Sequence, residues 1–317
     1  MYEGHTIGVV VPAYNEEGFV GDVLDSLPDF VDRVYAVDDA STDGTWDEIC
    51  AHSAIKRAPR AGVSDDTDSQ VVAIRHEQNR GAGGAIKTGY LAARNDGIDV
   101  TVTIDADGQM NPGMMTRFID PIVTDEADYA KGNRLSNPEY RHDMPRFRLI
   151  GNYLLTGLTR IASGYWDVTD PQNGYTAISI AALEAIDLEK MYEYYGYCND
   201  ILVKLNVAGM RVVDVDMPAT YGDEESSIKY GDYIPKVSLM LLRTFLWRLK
   251  SRYRTHPLGL AYGLGVVGVL LGVVLGVRAF GAALIGTKSS DARKSLASFA
   301  VGTFGVLAGI ILDRRKN

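Results

Sequence analysis

Cysteine is almost missing from this chain of 317 residues: Cys50 and Cys198 are the two present, and they have no metal-ligand spacing. That excludes a disulfide framework, and both read as reduced cytosolic thiols. Bases are scarce in residues 1–235, where 19 Lys and Arg face 39 Asp and Glu. Nucleic acid is therefore excluded as a partner, because a phosphate backbone needs a basic footprint. Such carboxylate density also suits a halophilic source, where a protein must stay hydrated in high salt. Met1-Tyr2-Glu3-Gly4-His5 has no basic region followed by an apolar one, so no cleaved secretion signal is expected. The length allows one large domain or two smaller ones with an ample core.

What is present is an acidic strand end. Asp105-Ala106-Asp107-Gly108-Gln109 directly follows the alternating run Val100-Thr101-Val102-Thr103-Ile104. Two carboxylates there, one residue apart, sit at the carboxyl edge of a sheet, where α/β proteins bind ligands. Such a pair either titrates abnormally or holds Mg²⁺ or Mn²⁺; the alternative is a solvated acidic turn. Gln109 offers a further neutral oxygen. Mg²⁺ completes its shell with water and phosphates, which suits a nucleotide diphosphate.

Ile7-Gly8-Val9-Val10-Val11 reads as a strand buried on both faces, broken by Pro12-Ala13-Tyr14-Asn15-Glu16-Glu17 before a helix over 17–27. A strand from Arg33 to Val37 ends in Asp38-Asp39-Ala40-Ser41-Thr42-Asp43-Gly44-Thr45, with a helix over 43–53 behind it. Residues 56–69 read as a polar surface insertion. The strand Val71 to Arg75 precedes Asn79-Arg80-Gly81-Ala82-Gly83-Gly84-Ala85, which opens a helix to Asn95. Its glycines either offer N–H groups to a phosphate or permit close packing, and they match neither a dinucleotide fingerprint nor a P-loop. Strand and helix alternating four times predict a right-handed, mostly parallel, doubly wound α/β sheet.

Beyond the acidic stretch the pattern predicts a helix over 113–124 and a strand from Ala127 to Lys131 closing with Gly132-Asn133-Arg134. An arginine-rich loop, 140–148, precedes a helix over 149–163. Arg141 and Arg146 suit phosphate binding or plain surface charge, and His142 reads as structural or solvated. Thr169-Asp170-Pro171-Gln172-Asn173-Gly174-Tyr175 feeds a strand over 176–180. The cluster Tyr192 to Tyr197, which packs or stacks on a sugar ring, precedes a helix bearing Asn199-Asp200 and a strand over 211–215.

The last third reverses in charge: residues 236–317 carry 13 bases against 2 acids. Residues 236–254 alternate apolar positions with Lys236, Arg243, Arg248, Lys250, Arg252 and Arg254, the pattern of a helix on an anionic membrane surface. Pro257 to Val277 lacks charge over a bilayer-spanning length, and Ser295 to Leu312 is a second apolar run. The chain thus divides into a catalytic part, 1–235, an interface helix, 236–256, and a two-span anchor, 257–317. Bases flanking both spans outnumber those in the loop between them, which predicts a cytoplasmic catalytic part. Gly265, Gly268 and Gly272 are candidates for a span interface.

Together VVPAYNEE, VDDASTDGT, NRGAGGAIKTGY and DADGQ resemble an inverting family 2 glycosyltransferase of the GT-A fold. The continuation from GNR through DPQNGY to Tyr221-Gly222-Asp223 and Lys229 is similar to the dolichol-phosphate mannosyltransferase branch. The resemblance implies that Pro12, Tyr14, Glu16 and Asp39 contact the nucleotide, with Gly81 beside them. It implies a metal on Asp105, Asp107 and Gln109, and an acceptor lipid phosphate on Arg134 and Arg148. Asp170 and Asp200 match acidic positions facing acceptor or sugar, and Lys229 joins the catalytic set. Two features depart from the pattern: Met110-Asn111-Pro112-Gly113 replaces a histidine and two prolines, and Asp223 to Lys229 lacks the usual arginine. No Gln-x-x-Arg-Trp run follows, which sets the chain apart from processive cellulose- or chitin-type synthases.

The expectation is transfer of a hexose from GDP-mannose or UDP-glucose to dolichyl or another polyprenyl phosphate at a membrane. Transfer to a hydroxyl of a lipid-linked saccharide or glycolipid is the alternative, with Asp170 or Asp200 as base. A catalytically silent membrane subunit is the other.

Overall fold

The continuous apolar run near the start forms β1 (Ile7–Ala13), buried along almost its whole length. In the computed structural model the described residues are 1–54, 70–137, 139, 146–218, 230–252, 257–284 and 291–315. β1 lies between β2 (Arg33–Asp38) and β4 (Val100–Thr103), parallel to both, and β2 pairs in parallel with β3 (Val71–Arg75). The sheet continues through β6 (Thr176–Ser179), β5 (Tyr129–Asn133) and β7 (Val212–Asp216), in the order β3-β2-β1-β4-β6-β5-β7. Among the described strands β6 alone is reversed, antiparallel to β4 and β5, while β7 parallels β5. The mostly parallel sheet expected from the sequence is therefore present.

Alternate residues of β1 serve two cores, because successive strand side chains point to opposite faces. Val9 and Val11 pack with α1 (Val20–Ser26), α2 (Thr45–Ser53) and α4 (Met115–Val123) through Val23, Ile49 and Phe118. Val10 packs with α3 (Ala82–Asn95) and α7 (Tyr197–Ala208) through Ile86, Tyr90 and Leu202. Two boundaries differ from the apolar pattern. β5 begins at Tyr129 because Asp128 is held at the sheet end by Arg211. β6 stops at Ser179, whose Oγ accepts the Ala182 N–H and starts α6 (Ile180–Ala185).

A second assembly joins α5 (Arg146–Ser163), α7 and α8 (Tyr230–Arg252) around Ala162, Val203, Val237, Met240, Leu241 and Phe245. α8 begins ahead of position 236 and has two apolar faces rather than one. The row Val237, Leu241 and Phe245 is buried with Ala162 of α5 and Val203 of α7, while Leu239, Leu242 and Leu246 stay exposed. Two of its bases correct the surface-helix expectation. Arg248 is fully buried, its Nη2 donating to Asp313 Oδ2 at 2.6 Å and to the Ile161 carbonyl. Arg252 donates to the Asn206 side chain at 2.8 Å. Lys236, Arg243 and Lys250 remain exposed.

α9 (Pro257–Leu284) and α10 (Asp291–Arg314) contain the stretches Leu258–Gly281 and Asp291–Arg314, each long and apolar enough to cross a membrane. They pack on each other through the glycines. A Cβ on Gly302 would lie 2.2 Å from the Val269 nitrogen, and one on Gly268 would lie 2.7 Å from the Gly302 Cα. Small residues permit this backbone approach. Gly302→Leu is expected to cost about 1–3 kcal/mol through overpacking. Thermal unfolding in detergent checks this against Gly263→Leu, whose added Cβ meets nothing within 4 Å; equal melting temperatures would contradict the seam.

Candidate active site at the carboxyl edge of the sheet

The turns that follow β1, β2 and β4, and the turn that leads into β6, converge on one edge. Three non-glycine residues in them take positive φ: Asn15 at 58°, Ala40 at 64° and Asp170 at 45°. Such strain persists where surrounding contacts over-determine it, and it concentrates at functional sites.

The Pro12–Glu17 and Asp38–Thr45 segments interlock into one wall. Asn15 Oδ1 accepts the Thr42 N–H at 2.9 Å, Ser41 Oγ accepts the Asn15 N–H at 2.9 Å, and Thr45 Oγ1 accepts the Glu16 N–H at 2.8 Å. β1 runs through Pro12 to Ala13, further than the apolar pattern, and Tyr14 is exposed beyond it. Buried Asp38 pairs with Arg75 Nε at 2.9 Å, and the Arg75 guanidinium lies over the Trp46 ring. Asp39, also buried, accepts from His76 Nδ1 at 2.6 Å and from the N–H groups of Arg80 and Gly81. Beside this wall opens a pocket of about 500 Å³, lined by Ala40, Ser41, Arg75, His76 and Glu77.

Of the two readings of the glycine-rich helix start, close packing describes what is found. The Gly81 N–H is held by Asp39, and the Gly84 N–H donates to the Glu193 carbonyl at 2.9 Å. A Cβ on Gly83 would lie 2.4 Å from the Tyr192 carbonyl. The tyrosine-rich loop thus rests on these glycines, and Glu193 bridges Arg80 and Lys87.

Asp105 and Asp107 leave the end of β4 as expected, with Asp107 Oδ1 accepting the Gln109 N–H at 2.9 Å. Gly108 takes the left-handed φ of 72° that lets the turn form. Burial pushes the Asp105 carboxyl up to about 7, helped by the Asp107 charge and opposed by Arg134. Burial raises Asp107 too. Among the described residues no base pairs with either carboxylate. Nor does a third His, Cys, Asp or Glu complete a metal cage there. Two unneutralised, adjacent carboxylates fit a divalent cation that draws its remaining ligands from water and a diphosphate.

The other acids of the expected set are spoken for. Asp170 is fully buried and takes both Nε and Nη2 of Arg134, at 2.7 and 3.0 Å, plus the Arg134 N–H. Burial alone would raise its carboxyl, but the Arg134 guanidinium, with Lys131 behind it, holds it below the ordinary range. Asp200 is buried, accepts the Tyr192 N–H at 2.9 Å and pairs with Lys204 at 3.0 Å. Both carboxylates are thus held in ion pairs. Arg134 itself stays a quarter exposed. Arg148 falls within α5, but its side chain lies outside the described residues, as do those of Arg141, His142 and Arg146 and the whole of 56–69 and of Tyr221 to Lys229.

Sequence reasoning missed His76, whose Nε2 also meets Thr88 Oγ1 at 2.8 Å, and the Arg75–Asp38 pair. The signal was available: Arg75 ends β3 and His76 follows it, at the same edge that made the other motifs conspicuous.

A mostly parallel sheet carrying an acidic pair without a basic partner among the described residues at its carboxyl edge, two strands from an open pocket, defines a GT-A type α/β enzyme. Residues 8–187, more than half of the chain, match glycosyl transferase family 2, and the chain belongs to that family. It is 33% identical over 216 residues to the UDP-N-acetylglucosamine–dolichyl-phosphate N-acetylglucosaminyltransferase of Methanococcus voltae, covering 68% of this chain and 86% of that one. It is 30% identical over 249 residues to the undecaprenyl-phosphate mannosyltransferase of Micrococcus luteus, covering 77% and 94%. Its fold is like that of glucosyl-3-phosphoglycerate synthase from Mycobacterium tuberculosis, crystallised with Mn²⁺, UDP and glucosyl-3-phosphoglycerate. That likeness has a TM-score of 0.53 at 23% identity, over 77% of this chain and 80% of that one.

Asp170→Asn should destabilise the protein by roughly 3 kcal/mol at neutral pH, because it leaves the Arg134 charge without its buried partner. The wild-type advantage exists above the unfolded carboxyl value of about 4 and is lost as pH falls through the lower folded value. Melting temperatures of both proteins at pH 7 and pH 3 check this; a gap that stays constant would contradict it.

Proposed function

We propose that the protein transfers a hexose, with inversion, from a nucleoside-diphosphate sugar to dolichyl or another polyprenyl phosphate, GDP-mannose and UDP-glucose being the expected donors. The observation that carries this reading is the contrast at the sheet edge. Asp38, Asp39, Asp170 and Asp200 each have a basic partner, whereas Asp105 and Asp107 have none among the described residues. Asp105, Asp107 and Gln109 would hold Mg²⁺ or Mn²⁺, which when bound neutralises charge on the departing diphosphate. The pocket beside His76 lies across β1 from this pair, about 10 Å away at the spacing of strands, a gap that one nucleotide bridges. Pro12, Tyr14, Glu16 and Asp39 form the wall between.

A lipid monophosphate is anionic near neutral pH. Its oxygen bonds to the anomeric carbon as the bond from that carbon to the diphosphate oxygen breaks, and no general base is required. That Asp170 and Asp200 are tied up in ion pairs supports this acceptor over a hydroxyl, which would need one. Arg134 and Arg148 are assigned to the acceptor phosphate, and Lys229 to the same transfer site, on their motif positions.

The helices support a membrane-borne acceptor. α5 exposes Ile150, Leu154 and Leu158 in one row, and α8 exposes Leu239, Leu242, Leu246 and Trp247 among the exposed bases Lys236, Arg243 and Lys250. Apolar residues flanked by bases suit an anionic lipid surface. With two spans closing back on α8, the catalytic part, 1–235, lies on the cytoplasmic side under the positive-inside count.

Membranes containing the protein, given radiolabelled GDP- and UDP-hexoses including UDP-N-acetylglucosamine, are expected to yield a chloroform-soluble product from dolichyl phosphate that disappears with EDTA. No product from any donor would overturn the reading. Asp107→Ala should reduce transfer by at least about a hundredfold while circular dichroism stays unchanged; wild-type turnover in this variant would sink the metal assignment.

A further inference from the structure

A chain of side-chain hydrogen bonds crosses four elements behind the acidic pair. Tyr233 of α8 donates its hydroxyl to Gln172 Oε1 at 2.5 Å, Gln172 Nε2 donates to Asn199 Oδ1 of α7 at 2.5 Å, and Asn199 Nδ2 donates to Thr159 Oγ1 of α5 at 2.6 Å. Asn199 and Thr159 are buried, so the bond between them is not exchanged cheaply for water, and the Gln172 and Tyr233 bonds that continue the chain are half-buried. Both ends of the Gln172 amide are engaged within the protein, which makes it a strut.

Gln172 sits in the turn that faces the acidic pair. A Cβ on Gly174 would lie 3.1 Å from Asp105 Oδ2. Tyr175 donates its hydroxyl to the Asn111 carbonyl at 3.1 Å, and its ring stacks on Phe118 at 4.1 Å. Asp170 fixes the other end of the turn to Arg134. The strut therefore joins this turn to α8, whose far end is clamped to the second span by Arg248 and Asp313.

We propose that Tyr233 is a positioning residue for transfer, acting through Gln172 and Asn199 to hold the 170–175 turn against the acidic pair. The seating of α8 then sets the geometry of the transfer site. This rests on the transferase reading above. Misplacement by a fraction of an ångström at such a turn costs rate rather than donor affinity.

The test uses the full chain in nanodiscs. Tyr233→Phe is expected to lower kcat about tenfold, with KM for the nucleotide sugar within about twofold and the melting temperature lowered by no more than a few degrees. Gln172→Leu should lose as much, and the double variant no more than Gln172→Leu alone, because both break one chain. Without substrates, amide exchange across 170–175 should quicken in both single variants. Unchanged kcat, multiplying losses in the double variant, or a change confined to KM would overturn the proposal. If the wild type transfers nothing, the transferase reading fails, and the exchange measurement alone decides the strut: unchanged exchange refutes it.

Discussion

The structure depends on how it distributes buried negative charge at one edge of a sheet. An ionised carboxylate taken from water needs a partner, or it gives up its charge. Asp38, Asp39, Asp170 and Asp200 solve this internally, with Arg75, His76, Arg134 and Lys204. These pairs build walls whose shape does not wait for a ligand. Asp105 and Asp107 have no basic partner among the described residues, and burial raises both carboxyls; on the reading proposed above, this is where a divalent cation supplies the missing charge.

The same edge explains why strain is tolerated. Asn15 and Ala40 hold left-handed backbone because the loops after β1 and β2 are stitched to one another, each satisfying the other's N–H groups. Asp170 holds it because three bonds from Arg134 fix its carboxylate. Rigid walls around an acidic pair supply positioning in advance, which is most of what a reaction with an anionic nucleophile requires.

Much of this was legible in the sequence because strand ends announce themselves: an apolar run that breaks into Asp, Asn, Gly and Pro places those residues at the edge. The GT-A sheet and the acidic pair were readable that way, and uncharged apolar length marked the two helices long enough to cross a membrane. Partnership was not. Arg134 and Asp170 lie 36 positions apart and Arg248 and Asp313 lie 65 apart, and no local pattern encodes such pairings. The two faces of α8 were hidden for a related reason: its bases look alike in sequence, yet Arg248 and Arg252 turn inward while Arg243 and Lys250 face out. The glycines of α3 carried two meanings, and the loop at Tyr192 to Glu193, distant in the chain, decided between them.

The burial of Arg248 also imposes an order on biogenesis. Domains emerge and fold from the N-terminus during synthesis, so α5 and α7 are in place before Asp313 exists. Until α10 is made and packed, the guanidinium of Arg248 has the Asn206 and Ile161 oxygens but not yet the Asp313 carboxylate. Docking of α10 is thus written into α8 as a buried positive charge that a carboxylate near the end of the last helix neutralises, a check on assembly made by electrostatics.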